Sequence, residues 1–309
     1  MPMALLMLSL GPALLYPFYD RAAPPGFLTI LLGRTQVGWC DASIDTVPAE
    51  SVLAELGRRG HVATGSVVLG RTDDTQDTCF RSLRYPSWAT LVSWRHKYGF
   101  EAVSAGNYQI MTQLTVEQQR AESCGSLPTF AQHGFERAWG LFAYPGNQLT
   151  PQIQADVVST CFAYGRRYGA RINQRAELAA PWFAYARDIV GGACNDEASS
   201  CFTVVSDRRP ASSGAMASAR RYTSPDEIVS MARVAADEWR IVQFYRFVFG
   251  KRLSGVPRWD CTSHDWRQHW TTLPEDYCWS DVLTALDRIP AGTVATDPAT
   301  VAQAWGRLP

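Results

Sequence analysis

The chain has 309 residues, and an apolar fraction of 46% is enough for a sizeable core in one large domain or two small ones. Its 29 basic residues balance 29 acidic ones. A nucleic-acid partner needs a basic stripe to displace counterions, so that class is excluded.

The apolar run Met3–Tyr16 is too short to span a bilayer comfortably. It has the length of a signal-peptide apolar region, without a basic flank or a clean small-x-small site. Residues 1–26 are therefore read as a signal-like or apolar arm, and 27–309 as one domain. No other segment could cross a membrane.

Phe27–Gly33 is a nearly continuous apolar run, as in a strand buried on both faces. Pro48–Arg59 has apolar residues at helical spacing, Pro at the start and Gly60 at the stop. His61–Leu69 reads as a strand, Trp88–Tyr98 as a helix and Phe100–Ser104 as a strand. Thr115–Phe130 reads as a helix opened by a Thr115/Gln118 capping box. Then come a strand at Trp139–Tyr144, a helix at Pro151–Thr160 and a strand at Cys161–Tyr164. Ala170–Ser224 reads as an irregular excursion within the same domain. Regular structure returns with a helix at Pro225–Ala235 and a strand at Trp239–Phe247. Arg252–Cys278 is loop-rich; a helix at Asp281–Arg288, a strand at Thr293–Thr296 and a helix at Pro298–Trp305 close the chain. Such alternation implies parallel strands with crossover helices, and this length favours a distorted (β/α) barrel of about seven strands.

Eight cysteines are widely spaced, with no CxxC or CxH pair. An even count of that kind suits disulfides in an oxidising compartment better than structural zinc. Pairing of neighbours is expected, above all Cys194 with Cys201, pinning the excursion, and Cys261 with Cys278.

Four short segments, in order, carry a family resemblance. They are Leu28–Gly33, Val103–Glu122, Leu141–Asn147 and Trp239–Tyr245. Together they resemble the polysaccharide deacetylases, whose barrel and substrate class the resemblance implies for residues 27–305. In that family the first strand ends in Thr-Phe-Asp-Asp-Gly, supplying a base and a metal ligand. Here the stretch reads Thr29-Ile30-Leu31-Leu32-Gly33, with leucines for both acids. The family's Ser-His-x-x-x-His, which holds zinc, is matched by Ser104-Ala105-Gly106-Asn107-Tyr108, without histidine. Phe142-Ala143-Tyr144-Pro145-Gly146-Asn147 is similar to the groove motif, and Gln243-Phe244-Tyr245 puts tyrosine where the family has its acid histidine. A hydrolytic zinc site needs about three converging ligands. No metal and no cofactor are therefore expected, and the family's usual mechanism is not.

Active residues in a parallel barrel sit at the C-terminal strand ends. There the expected binding groups are Arg34, Gln36, Asn107, Tyr144, Asn147, Gln243, Tyr245 and Arg246, a hydrogen-bonding and stacking set suited to sugars. Ser104 stands among them; its alternative, like theirs, is to satisfy buried backbone at the rim. Asp41 and Asp260 are the expected catalytic acids, since a glycosidase needs two carboxyls. Asp45, Glu101 and Glu122 are weaker candidates, and Glu122 is expected on an outer helix face paired with Arg120 or Arg166. The expected function is a secreted or cell-surface monomer acting on a cell-wall or extracellular polysaccharide or oligosaccharide, as a carboxylate-based hydrolase. The alternatives are a glycan-binding protein without turnover and a deacetylase with a rebuilt metal site.

Overall fold

In the computed structural model, which describes residues 26–33, 47–80, 83–168, 173–174, 187–191, 225–244, 246–249 and 276–307, the run Phe27–Leu32 is strand β1. Its side chains face two cores, so both sides are buried: Leu28 and Leu31 are each 0% exposed.

Along the chain follow α1 (Ala49–Arg58), β2 (Ala63–Val67) and a hairpin of β3 (Thr78–Phe80) and β4 (Leu83–Tyr85). Next are α2 (Trp88–Tyr98), β5 (Glu101–Ser104), α3 (Val116–Glu122) and α4 (Leu127–Gln132). Then come β6 (Phe142–Ala143), α5 (Pro151–Asp156), β7 (Tyr164–Tyr168), β8 (Asn173–Gln174) and β9 (Arg187–Gly191). The last elements are α6 (Pro225–Ala232), β10 (Glu238–Phe244), β11 (Arg246–Val248), β12 (Asp276–Cys278), α7 (Trp279–Leu286) and α8 (Pro298–Ala304).

β10, β1, β2, β5, β6 and β7 lie side by side, all parallel. The chain is thus α/β with a curved parallel sheet. β1 is its best-paired strand, in register with β10 from Phe27↔Trp239 to Leu32↔Phe244. β9 runs parallel to β7 and meets β10 at Ile241↔Gly191, while β8 adds to β10 antiparallel.

Alternation along the strands separates two apolar layers. On the outside, Leu28, Ile30 and Leu32 pack with Val52, Leu53 and Leu56 of α1, Ile228 and Val229 of α6, and Val282 and Leu286 of α7. On the inside, Leu31, Val103, Leu141, Tyr164, Trp239 and Ile241 form one cluster with Val301 and Ala302 of α8 and the following Trp305. Trp305 lies 6.1 Å from both Phe27 and Trp239, at the N-terminal ends of their strands. The interior polar groups there are joined in sequence: Trp239 Nε1 donates to Thr29 Oγ1 at 3.0 Å, and Thr29 Oγ1 donates to the Thr296 carbonyl at 2.9 Å.

Several expected elements differ, among them the strand expected at Cys161–Tyr164, which is Tyr164–Tyr168. The long helix from Thr115 breaks at Ser123, whose backbone leaves the helical region, and resumes as α4 with Pro128 in its first turn. The strand from Trp139 is reduced to Phe142–Ala143, because Ala138–Gly140 form a 3₁₀ turn. A Cβ on Gly140 would meet Ala299 Cα at 2.8 Å, so α8 uses the bare backbone of that turn. The expected strand at Thr293–Thr296 is a single bridge, Leu28↔Ala295. The Ala170–Ser224 excursion contributes β9 to the sheet. Its pairing of Cys194 with Cys201 lies outside the described residues, as does the arm at 1–25.

One disulfide joins Cys124 to Cys161, neighbours in the order of cysteines, with a Cα separation of 5.6 Å. Cys79 and Cys278 are also disulfide-bonded. Among the described residues, no helix is long and apolar enough to cross a membrane.

Candidate functional site

The parallel strands bring their C-terminal ends to one rim. Adjacent ends are tied by backbone bonds: Gly33 N donates to the Phe244 carbonyl at 2.7 Å, and Ala105 N to the Val67 carbonyl at 2.9 Å. The loops beyond them meet as well, through Leu69 N and the Gly106 carbonyl at 2.8 Å. Val68, Tyr85, Ala105 and Ala143 form a small apolar cluster at this end.

Among the described residues, Arg166 and Gln243 sit within the rim. Arg166 of β7 donates from Nη2 to Oε1 of Gln243 of β10, and the two are 3% and 6% exposed. Strand alternation aims them inward, since Tyr164 and Ile241, two residues earlier on each strand, belong to the inner cluster. Gln243 was expected here; Arg166 was not. Its signal was the period of two in Tyr164-Gly165-Arg166, hidden by the neighbouring Arg167. A guanidinium and a carboxamide can donate to and accept from hydroxyl and carbonyl groups in a fixed geometry.

Tyr144 lies at the same end but on the other face. Its ring packs with Phe142, Ile153 and Phe162 beneath α5, only 3% exposed. A Cβ on the outward-facing Gly165 would meet Tyr144 Cε2 at 2.6 Å. Tyr144 therefore does not face Gln243 across a cleft. Asn147 is in the turn Pro145–Asn147 and Arg246 is in β11, placed by their backbone. Arg34, Gln36, Asp41, Tyr245 and Asp260 lie outside the described residues.

Glu122 corrects its expectation. It is 2% exposed, at the end of α3, and bonds the loop after β5 rather than Arg120 or Arg166. Oε1 accepts from Gln109 N at 2.8 Å, and Oε2 accepts from Asn107 Nδ2 at 3.3 Å. Burial pushes its carboxyl above the ordinary range, against the pull of the Gln109, Asn107 and Tyr108 amides. Asn107, expected to bind substrate, thus holds Glu122. Gly106 has φ +54 and lies against Glu122: a Cβ there would meet its Cδ and its carbonyl oxygen at 2.6 Å. Ser104 Oγ accepts from Gly106 N at 3.0 Å and lies 2.7 Å from Ser126 Oγ.

Glu101 opens β5 and so stands at the opposite end of the sheet. Its Oε1 is 3.5 Å from Arg95 Nε, and burial pushes its carboxyl up. His61 accepts from Ala295 N through Nδ1 at 3.2 Å, and His133 stacks on Trp88 with centroids 4.2 Å apart. Among the described residues, no three His, Cys, Asp or Glu side chains are gathered as metal ligands would be. Leu31, Leu32 and Ala105 stand where the deacetylase motifs would carry acids and a histidine. None of these three side chains has a donor atom, so they cannot ligate a divalent cation there.

No family model matches the chain, and no curated protein does. Among solved structures it is similar to a family 4 carbohydrate esterase from Streptomyces lividans in complex with acetate, at 13% identity and a TM-score of 0.35. The match covers 72% of this chain and 80% of the esterase. A likeness that distant fixes neither the substrate nor the chemistry of this chain.

Proposed function

We propose that this is a secreted or cell-surface carbohydrate-active protein that acts on a cell-wall or extracellular polysaccharide as a monomer. Its frame is a closed (β/α) barrel of about seven parallel strands, with β9 as the strand between β7 and β10. The observation carrying the reading is the Arg166–Gln243 pair, buried and inward-facing at the C-terminal rim of a parallel sheet. Polar groups converging within apolar walls at that end are the usual form of a binding site on such a frame. The proposed chemistry is metal-independent, because Leu31, Leu32 and Ala105, at three of the deacetylase ligand positions, carry no donor atoms. Asp41 and Asp260 are the proposed acids of a hydrolase, with Arg34, Gln36 and Tyr245 as further sugar contacts.

A second reading, glycan binding without turnover, is favoured by Glu122. It is a buried carboxylate beside the loop after β5, and Asn107 and Gln109 already engage both its oxygens. Incubation with a panel of bacterial and fungal polysaccharides, read by mass spectrometry, separates the cases. Shortened chains support the hydrolase. Loss of acetyl mass overturns it in favour of deacetylation. Binding of an oligosaccharide with unchanged mass selects the non-catalytic reading, and no binding to any glycan overturns both.

A further inference from the structure

The loop after β5 is held on both sides by one short piece of chain, and a disulfide fastens that piece to the neighbouring strand unit. Glu122, Ser123, Cys124 and Ser126 are nearly consecutive. Glu122 takes the Gln109 amide and the Asn107 side chain. Ser126 meets Ser104, which takes the Gly106 amide. Ser123 Oγ donates to the Gln119 carbonyl at 2.7 Å, holding the end of α3. Cys124 then crosses to Cys161, at the entry to β7, the strand that carries Arg166. Both cysteines are half-buried and flank surface positions, with Gly125 exposed beside them.

We propose that the Cys124–Cys161 bridge is a redox-sensitive clamp on the Ala105–Gln109 loop. A dithiol reductant opens it by exchange: the S–S bond breaks, Cys124 and Cys161 each take a proton, and the reductant is oxidised to its own disulfide. The Glu122–Ser126 segment then loses its tie to β7, and the loop loses its fixed partners. This device does not depend on the glycan reading, because its output is the order of the loop itself.

Hydrogen exchange by mass spectrometry tests it. The Cys124→Ser, Cys161→Ser double variant opens this bridge alone, leaving those of Cys79 and Cys278. Exchange in a peptide covering 105–110 should rise about tenfold, while a peptide from α7 stays unchanged. Wild-type protein treated with dithiothreitol and alkylated, with the opened bridges mapped, should show the same local rise once the 124–161 bridge is cut. Glu122→Gln with the bridge intact should loosen the same peptide. An unchanged 105–110 peptide in the double variant would overturn the proposal. So would an equal rise in α7, which would make the bridge a global brace, or an inert Glu122→Gln, which would remove the route of coupling.

Discussion

Gly106 is a position where adding one methyl group has two separate costs. Its φ of +54 is in the left-handed region, and the space a Cβ would take is filled by Glu122. Gly106→Ala should therefore destabilise the protein by about 1–3 kcal/mol, the range for a non-glycine residue forced into that backbone region, as measured by urea unfolding. His61 makes a pH-dependent contribution. Burial, aided by the Arg59 charge, holds its imidazole below the ordinary value of 6.5. The unfolded chain takes up a proton near that pH and the folded chain resists it. The neutral ring's stabilisation is thus present above pH 6.5 and is lost as the pH falls below it. Melting temperature should drop from pH 7.5 to pH 5, and His61→Gln should flatten that slope. Residue roles were the least legible part of the sequence. Gln243 was placed correctly at the rim by its position at a strand end. Glu122 was misassigned because helical spacing offers Arg120 as a neighbour, while the true partners come from a loop folded back from residues 106–109. Tyr144 was misjudged by one step of alternation: the strand end was right and the face was not.

Elements with local signals were legible in proportion to those signals. α2 runs from Trp88 to Tyr98 as expected, because Ser87 caps it and Gly99 ends it at φ +68. The Thr115 capping box is present in both directions, with Thr115 taking the Gln118 amide and Gln118 taking that of Thr115. Thr115→Ala should cost about 0.5–2 kcal/mol in thermal or urea unfolding, with little effect on the loop after β5. β9 was missed because Arg187-Asp188-Ile189-Val190-Gly191 has only two apolar residues in a row, too few to register as a buried strand. What makes it a strand is the open edge of β7, with which all five of its residues pair. That is tertiary information. The bridge between Cys124 and Cys161 closes a span of 37 residues.

At the scale of the whole molecule, the alternation of strands and helices disclosed a parallel α/β frame, since crossover connections leave few other arrangements. It did not disclose which strand closes on β1, because every apolar run looks equally able to do so. Trp239 settles the matter by filling the interior between Tyr164 and Trp305 and bonding Thr29. Trp239→Ala should cost about 3–5 kcal/mol and leave a cavity, measured as a shift in the urea midpoint.

The pairing of β10 with β1 has a further consequence, in time rather than space. Trp239 and Thr29 are 210 residues apart. β1 therefore emerges from the ribosome some two hundred residues before the strand that covers its outer edge. Contacts so remote in sequence are slow to form, because the intervening loop must be closed before they return any stability. During that interval β1 presents an apolar, hydrogen-bond-hungry edge to any neighbour. Chains cut short before Glu238 should aggregate through that edge rather than linger as soluble half-folds, and refolding of the full chain should be limited by docking of β10.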